Sequence, residues 1–243
     1  TRSICPLCSA GCNIRIDHHQ GRIWRLKPRF NMHVNQWWIC DDGRFGWKYV
    51  HDARRLTRPI LRRGRDQQTP AWADIPQVVR YRLGRIAAQA GADRIAVVLS
   101  PFMACEEAWL LARFVRSLAG EATLVPGPVP VAGEDELFPV GCRPEDARFV
   151  IRAEKCPNRR GIEMVIAALG GPSCSFDEFV ERAGGGGFAA CWVVGGYPGD
   201  WLDSKRASAI AKAELLIVQE MLPNALTDLA GLVLPACAWA ERE

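Results

Sequence analysis

The sequence predicts an α/β fold in two parts: a small cysteine-bearing amino-terminal subdomain, then a parallel-sheet domain with helices on both faces. Three observations carry this expectation. From residue 74 onward, segments with helical apolar spacing alternate with short aliphatic runs, the order that builds parallel sheets. The charge changes sign along the chain: residues 1–65 hold 14 Lys and Arg against 4 Asp, a balance of +10, and the remainder holds 17 basic and 23 acidic residues. Four of the ten cysteines, Cys5, Cys8, Cys12 and Cys40, are bunched in the first 40 residues.

Taken in order, Asn13-Ile14-Arg15-Ile16-Asp17 and Arg22-Ile23-Trp24-Arg25-Leu26 are runs of strand character joined by His18-His19-Gln20-Gly21. Glycine there suits a positive φ, so a hairpin is expected. After Cys40, residues 41–50 read as a turn into a short helix. Asp74 is placed to cap a helix running to about Ala90, with Val78, Val79, Leu83 and Ile86 at helical spacing. Arg94 to Leu99 is a buried-type strand, and Cys105 to Leu118 an amphipathic helix. Ala122 to Val125 is a strand, and the Pro- and Gly-rich stretch from Pro126 to Asp146 a loop. Beyond it come a strand at Phe149 to Ile151, helices at Ile162 to Leu169 and Phe176 to Arg182, and a strand at Cys191 to Val194. A helix at Ser204 to Lys212 and strands at Leu215 to Val218 and Leu232 to Leu234 complete the order.

The chain of 243 residues is 49% hydrophobic and 24% charged, the composition of a folded chain and not of a disordered tail. No apolar run approaches the ~20 residues of a membrane-spanning helix. Membrane contact is therefore expected only through partners. The basic first part also contains all four histidines (His18, His19, His33, His51) and four of the nine tryptophans, which suggests an anionic ligand or a negatively charged partner.

Cysteine spacing is the most specific signal. Cys5, Cys8 and Cys12 lie within eight residues among Pro6, Ser9, Ala10 and Gly11, and Cys40 follows after 27 more. Such a loop wraps three thiolates around one side of a soft-metal centre, and a remote fourth completes the set. A cubane iron-sulfur cluster has an iron at each of four corners and suits three local ligands plus one distant one. A structural zinc ion usually takes two paired knuckles, and unrelated or disulfide-linked cysteines are the third reading. Cys105, Cys142, Cys156, Cys174, Cys191 and Cys237 are scattered singly and form no disulfide framework. Arg44 and its basic neighbours are placed either to offset a cluster's negative charge or to lie as a solvated surface.

Residues 3–14, Ser-Ile-Cys-Pro-Leu-Cys-Ser-Ala-Gly-Cys-Asn-Ile, and 34–46, Val-Asn-Gln-Trp-Trp-Ile-Cys-Asp-Asp-Gly-Arg-Phe-Gly, together resemble the iron-sulfur segment of the molybdopterin oxidoreductase superfamily. Within it the chain is most similar to the large iron-sulfur subunit of NADH:quinone oxidoreductase, complex I. Residues 54–59, 157–161 and 233–241 resemble further stretches of that subunit. The resemblance implies a 4Fe-4S-binding domain at 1–60, with Cys5, Cys8, Cys12 and Cys40 as ligands, and a shortened α/β molybdopterin-oxidoreductase-like domain at 61–243. It implies an electron-relay subunit with no catalytic residues of its own, in a multisubunit redox complex with a separate ferredoxin-like or flavin-bearing, NADH-oxidising subunit. Such a complex would lie peripheral to the inner membrane on its cytoplasmic side. Molybdopterin is expected to be absent: about 180 residues after the cysteines are few for a two-pterin cage, and Asp42 stands where cluster-bearing relatives often have Lys. The alternatives are a fragment of a molybdenum or tungsten pterin enzyme such as formate dehydrogenase, and a zinc-stabilised nucleic-acid-binding module; the primary reading expects no nucleic-acid partner.

Other features read more plainly. Gly184 to Gly187 matches no phosphate-loop pattern and is expected to be a connector. Gly195-Gly196 ends a strand where open α/β sheets bind ligands, and is either a vestigial cofactor crevice or a tight turn. Cys142 lies at a distance where some relatives carry a metal ligand and is expected to be a packed or solvent thiol. His18 and His19 are expected at a hairpin tip.

Overall fold

The computed structural model describes residues 1–64 and 66–242; Arg65 and Glu243 lie outside them. The chain forms two compact units, one of Thr1–Ala53 with Val129–Arg159, the other of Arg54–Pro128 with Arg160–Glu243.

The first unit is built on a three-stranded antiparallel sheet, Arg2–Ile4, Asn13–His19 and Arg22–Pro28. The hairpin closes through Gln20 (φ 47°) and Gly21 (φ 73°), the pair of positive φ values that matches strand twist. Ile14, Ile16, Ile23 and Leu26 are buried on one face, and Arg15 and Arg25 stand on the other. His18 and His19 belong to the strand and not to the loop, and the first strand, Arg2–Ile4, has too few residues to show a period. After Cys40 come a helix, Asp41–Phe45, and a 3-10 turn, Gly46–His51.

The Pro- and Gly-rich stretch expected as a loop contains a strand, Glu136–Phe138, and a 3-10 turn, Pro144–Asp146. That strand pairs antiparallel with Phe149–Ile151, which therefore sits outside the parallel sheet. The ring of Trp38 stacks on Phe149 (centroids 6.1 Å, 14°) and Phe138 (6.2 Å, 28°), joining this segment to the chain just before Cys40.

In the second unit five parallel strands run in the order Leu232–Pro235, Leu215–Glu220, Ala190–Val194, Ile95–Leu99, Thr123–Pro126. An antiparallel hairpin that the sequence does not announce, Ile60–Arg63 with Asp66–Gln68, extends the sheet beyond Leu232–Pro235. Alternate residues of one strand go to opposite faces, and both faces are covered, so the strands read as near-continuous apolar runs. Ile95, Val97 and Leu99 pack with helices Ile75–Ala90, Cys105–Leu118 and Arg159–Leu169, while Ala96 and Val98 pack with Phe176–Gly184, Ser204–Ile210 and Ala225–Leu229. Each fully buried Leu, Ile or Phe of these layers contributes roughly 1.5–3 kcal/mol. Asp74 occupies the cap position of the Ile75–Ala90 helix without a side-chain cap bond; Pro76 starts that helix instead.

Chain order fixes a topological switch point. From Ile95–Leu99 the chain moves outward to Thr123–Pro126, and from Ala190–Val194 it moves the other way to Leu215–Glu220. The carboxyl ends of Ile95–Leu99 and Ala190–Val194 are where open sheets of this order hold ligands.

Candidate metal centre

Cys5, Cys8 and Cys12 are 4%, 7% and 4% exposed, and Cys40 is half-buried. Gly11 at φ +64° turns the chain back, and the Cys5 N–H donates to the Cys12 carbonyl at 2.8 Å, closing the loop. Cys40 is the N-cap of Asp41–Phe45, and its Sγ accepts from the Gly43 N–H at 3.3 Å. A Cβ on Gly43 would stand 3.3 Å from Cys5 Sγ and 3.0 Å from Ile39 Cγ1, so the small residue lets the helix approach the three-cysteine loop.

Burial and the neighbouring thiols act on these cysteines together. Burial pushes the Cys5 thiol up to about 12, opposed by the Leu7 N–H and reinforced by Cys12, Cys8 and Cys40. Burial, then Cys8 and Cys40, push Cys12 up to about 12. Cys40 is raised by burial, lowered by the Gly43 N–H, raised by Cys8 and Asp42, and lowered by Lys155. Four gathered thiolates need cationic compensation, and a metal replaces the thiol protons. Among the described residues no three His, Cys, Asp or Glu groups converge on one point as ligands of a single ion. Zinc draws its sulfurs together with Zn–S bonds of ~2.3 Å, whereas each sulfur of a cubane site binds a separate iron. Four cysteine sulfurs are the donor set that a 4Fe-4S cluster uses.

Three supporting residues carry no local sequence signal. Asn35, fully buried, accepts from the Asn13 N–H (2.9 Å) and donates to the carbonyls of Trp38 (2.9 Å) and Asn13 (3.3 Å), tying the residue after Cys12 to the approach to Cys40. His51 Nε2 accepts from the Ile23 N–H at 2.9 Å. Lys155 Nζ lies 3.1 Å from Asp42 Oδ2, so a lysine from 113 residues away meets the acidic residue two positions after the fourth cysteine.

The remaining candidates are elsewhere. None of the ten cysteines is in a disulfide. Cys156 and Cys191 are buried, with thiols pushed up by burial to about 11 and about 12; Cys105 and Cys237 are exposed. Cys142 is half-exposed, with its N–H donating to the Pro139 carbonyl. His18 lies near the hairpin tip with Nε2 2.9 Å from Thr1 Oγ1. Gly184 closes a helix, and Gly185 to Gly187 form a turn leading to the next strand.

At the switch point the crevice is filled by the chain itself. Glu220, 1% exposed, accepts on Oε1 from the Gly196 and Met221 N–H groups (2.5 and 2.8 Å) and on Oε2 from Trp201 Nε1 and Asn224 Nδ2 (2.9 and 3.2 Å). Two donors on each oxygen saturate a carboxylate. A Cβ on Gly195 would collide with Oε2. Tyr197 stacks on Trp201 at 4.5 Å, meets Phe102 at 4.9 Å, and donates its hydroxyl to the Pro128 carbonyl at 2.7 Å. Gly195-Gly196 thus makes room for an internal carboxylate.

The chain thus combines a three-cysteine loop and a remote fourth cysteine on a small sheet with a second unit built on a parallel α/β sheet. Residues 1–52 match the molybdopterin oxidoreductase Fe4S4 domain, and the chain carries that domain at its amino terminus. It is 34% identical over 115 residues to an NADH-quinone oxidoreductase subunit of Streptomyces coelicolor, covering 47% of this chain and 13% of that protein. The like-named NADH-quinone oxidoreductase subunit of Escherichia coli is 45% identical over 64 residues, 26% of this chain and 7% of that protein. A candidate formate dehydrogenase of Bacillus subtilis is 26% identical over 118 residues, 49% of this chain and 12% of that protein. The matches thus span about an eighth or less of the length of these curated relatives. Among solved structures, acetylene hydratase from Pelobacter acetylenicus overlays 90% of this chain and 27% of its own at a TM-score of 0.42 and 14% identity. No helix among the described residues is long and apolar enough to cross a membrane.

Proposed function

We propose that the chain holds one 4Fe-4S cluster on Cys5, Cys8, Cys12 and Cys40 and acts as an electron-transfer subunit of a complex I-like, NADH-linked oxidoreductase. The observation that carries the reading is a loop of three buried cysteines with Cys40 at the N-cap of the following helix, within the segment that matches an Fe4S4 domain. The cluster supplies a one-electron store. The chain's part is to keep water from the sulfurs, to hold Cys40 by the Gly43 N–H, and to set Lys155 and Asp42 beside Cys40. Net charge, hydrogen bonds to sulfur and exposure are the means by which protein tunes such a centre.

The same reading gives the second unit a scaffolding role without a pterin, supported by the saturated Glu220 and the stacked Tyr197 and Trp201. Partners in this reading are redox subunits of a peripheral complex, and membrane contact passes through them. The test is iron, sulfide, molybdenum and tungsten analysis of anaerobically purified protein, with low-temperature electron paramagnetic resonance before and after dithionite reduction. About four irons and four sulfides per chain and a reduced-cubane signal lost in Cys40→Ser support the proposal. Zinc alone overturns it, and iron with molybdenum or tungsten moves the function to a catalytic pterin enzyme.

A further inference from the structure

The outer face of the three-stranded sheet carries an unusual row of charge. Arg2 lies directly opposite Arg15, and Arg15 directly opposite Lys27, so three cations from three strands share one line on one face. Like charges directly opposite each other destabilise a sheet. Asp17 draws Lys27 (3.2 Å) and Arg25 (2.8 Å), while among the described residues neither Arg2 nor Arg15 takes a carboxylate partner. At the end of the row a concavity of about 480 Å³ is lined by these three cations with Arg29, Phe30 and Trp37. Arg29 has a buried Nε without a hydrogen-bond partner. Phe30 and Trp37 pack at 4.9 Å between centroids, yet Trp37 remains 68% exposed and Phe30 43%.

We infer that this face is a docking surface for an acidic protein segment, whose carboxylates pair with Arg2, Arg15 and Lys27 while an apolar residue covers Trp37. Charge complementarity selects the partner: the row repeats every ~4.8 Å across strands, close to the ~5–6 Å between i and i+3 or i+4 carboxylates on a helix. Exposed tryptophan beside arginine is the composition of an interface hot spot. An acidic segment removes the repulsion that folding leaves in place, and it neutralises the row without depending on the cluster.

The test uses the full chain and a fluorescein-labelled peptide of eight glutamates ending in leucine, read by fluorescence anisotropy at about 20 and 150 mM NaCl. The expected result is binding at low salt that weakens at the higher salt, falls about tenfold in Arg2→Glu/Arg15→Glu, and falls about threefold in Trp37→Ala. Circular dichroism and iron content of the variants should match the unmodified protein. Should the double reversal not fold, Arg15→Gln and Lys27→Gln serve, each with about threefold loss expected. Absence of peptide binding, or equal binding by the charge variants, overturns the inference. So does tighter binding of an eight-nucleotide single-stranded DNA, which makes the face a nucleic-acid surface, or displacement of the peptide by equimolar pyrophosphate, which makes it a small-anion site. Iron content is read separately, so loss of the cluster with peptide binding intact counts against the relay function alone.

Discussion

Replacing Asn35 with leucine tests whether one buried side chain holds the two halves of the cysteine set together. Leucine keeps asparagine's branching with bulkier methyl ends but offers no hydrogen bond, so the Asn13 N–H and the Trp38 carbonyl lose their partner at 2.9 Å each. The Asn13 carbonyl keeps the Arg29 N–H at 2.8 Å and stays satisfied. Two orphaned buried groups cost about 1–3 kcal/mol apiece, and the added apolar burial returns about 1–2 kcal/mol. Asn35→Leu is therefore expected to destabilise the first unit by about 3 kcal/mol and to lower iron retention, because the residue after Cys12 and the approach to Cys40 are no longer tied. Urea denaturation followed by tryptophan fluorescence gives the first quantity, and iron per chain after anaerobic purification the second. Stability within about 1 kcal/mol of the unmodified protein with full iron would refute the reasoning. Lost stability with full iron would reduce Asn35 to a structural residue with no hold on the ligands.

Further outcomes follow from other contacts. Lys155→Met removes a cation beside Cys40 and leaves Asp42 unpaired, so the cluster potential should fall by on the order of 40 mV, about 1 kcal/mol for one electron; a potentiometric titration showing no fall counts against this. Gly195→Ala drives a methyl into the Glu220 carboxylate and should cost about 2–3 kcal/mol in chemical denaturation; a neutral effect would mean that the crevice has spare room. Burial holds the Glu220 carboxyl above the ordinary glutamate range, against the pull of its donors. Its contribution to stability is therefore fullest below about pH 4.3 and is lost as pH rises through the folded value. Stability curves of the unmodified protein and Glu220→Gln should diverge in that window to the variant's relative advantage; parallel curves would contradict the raised carboxyl.

Much of the second unit was legible because periodicity is local. The helix Cys105–Leu118 has its boundaries where the apolar spacing put them, and the apolar strands at 95–99 and 190–194 could only be buried on both faces. The hairpin of Ile60–Arg63 with Asp66–Gln68 was missed because its inner strand is half polar and its outer, edge strand Asp66-Gln67-Gln68 carries no apolar residue. Residues 126–146 look like a loop because their prolines and glycines hide a three-residue strand held by a partner further along the chain. The cysteine spacing points to a candidate metal centre, since three of the four cysteines sit within eight residues. Asn35, Lys155 and Glu220 left no such trace: what marks them is burial and contact across 22, 113 and 24 residues, which no window of sequence displays.

The cysteine-bearing unit is discontinuous, with its last segment, Val129–Arg159, separated from Ala53 by the start of the other unit. During synthesis, Cys40 therefore leaves the ribosome about 115 residues before Lys155 and the Phe149 ring that stacks on Trp38. At ordinary elongation rates this interval is on the order of ten seconds. For that time the nascent chain lacks the partners of the segment around Cys40, and expression of residues 1–60 alone would leave Trp38 without Phe149 and Asp42 without Lys155.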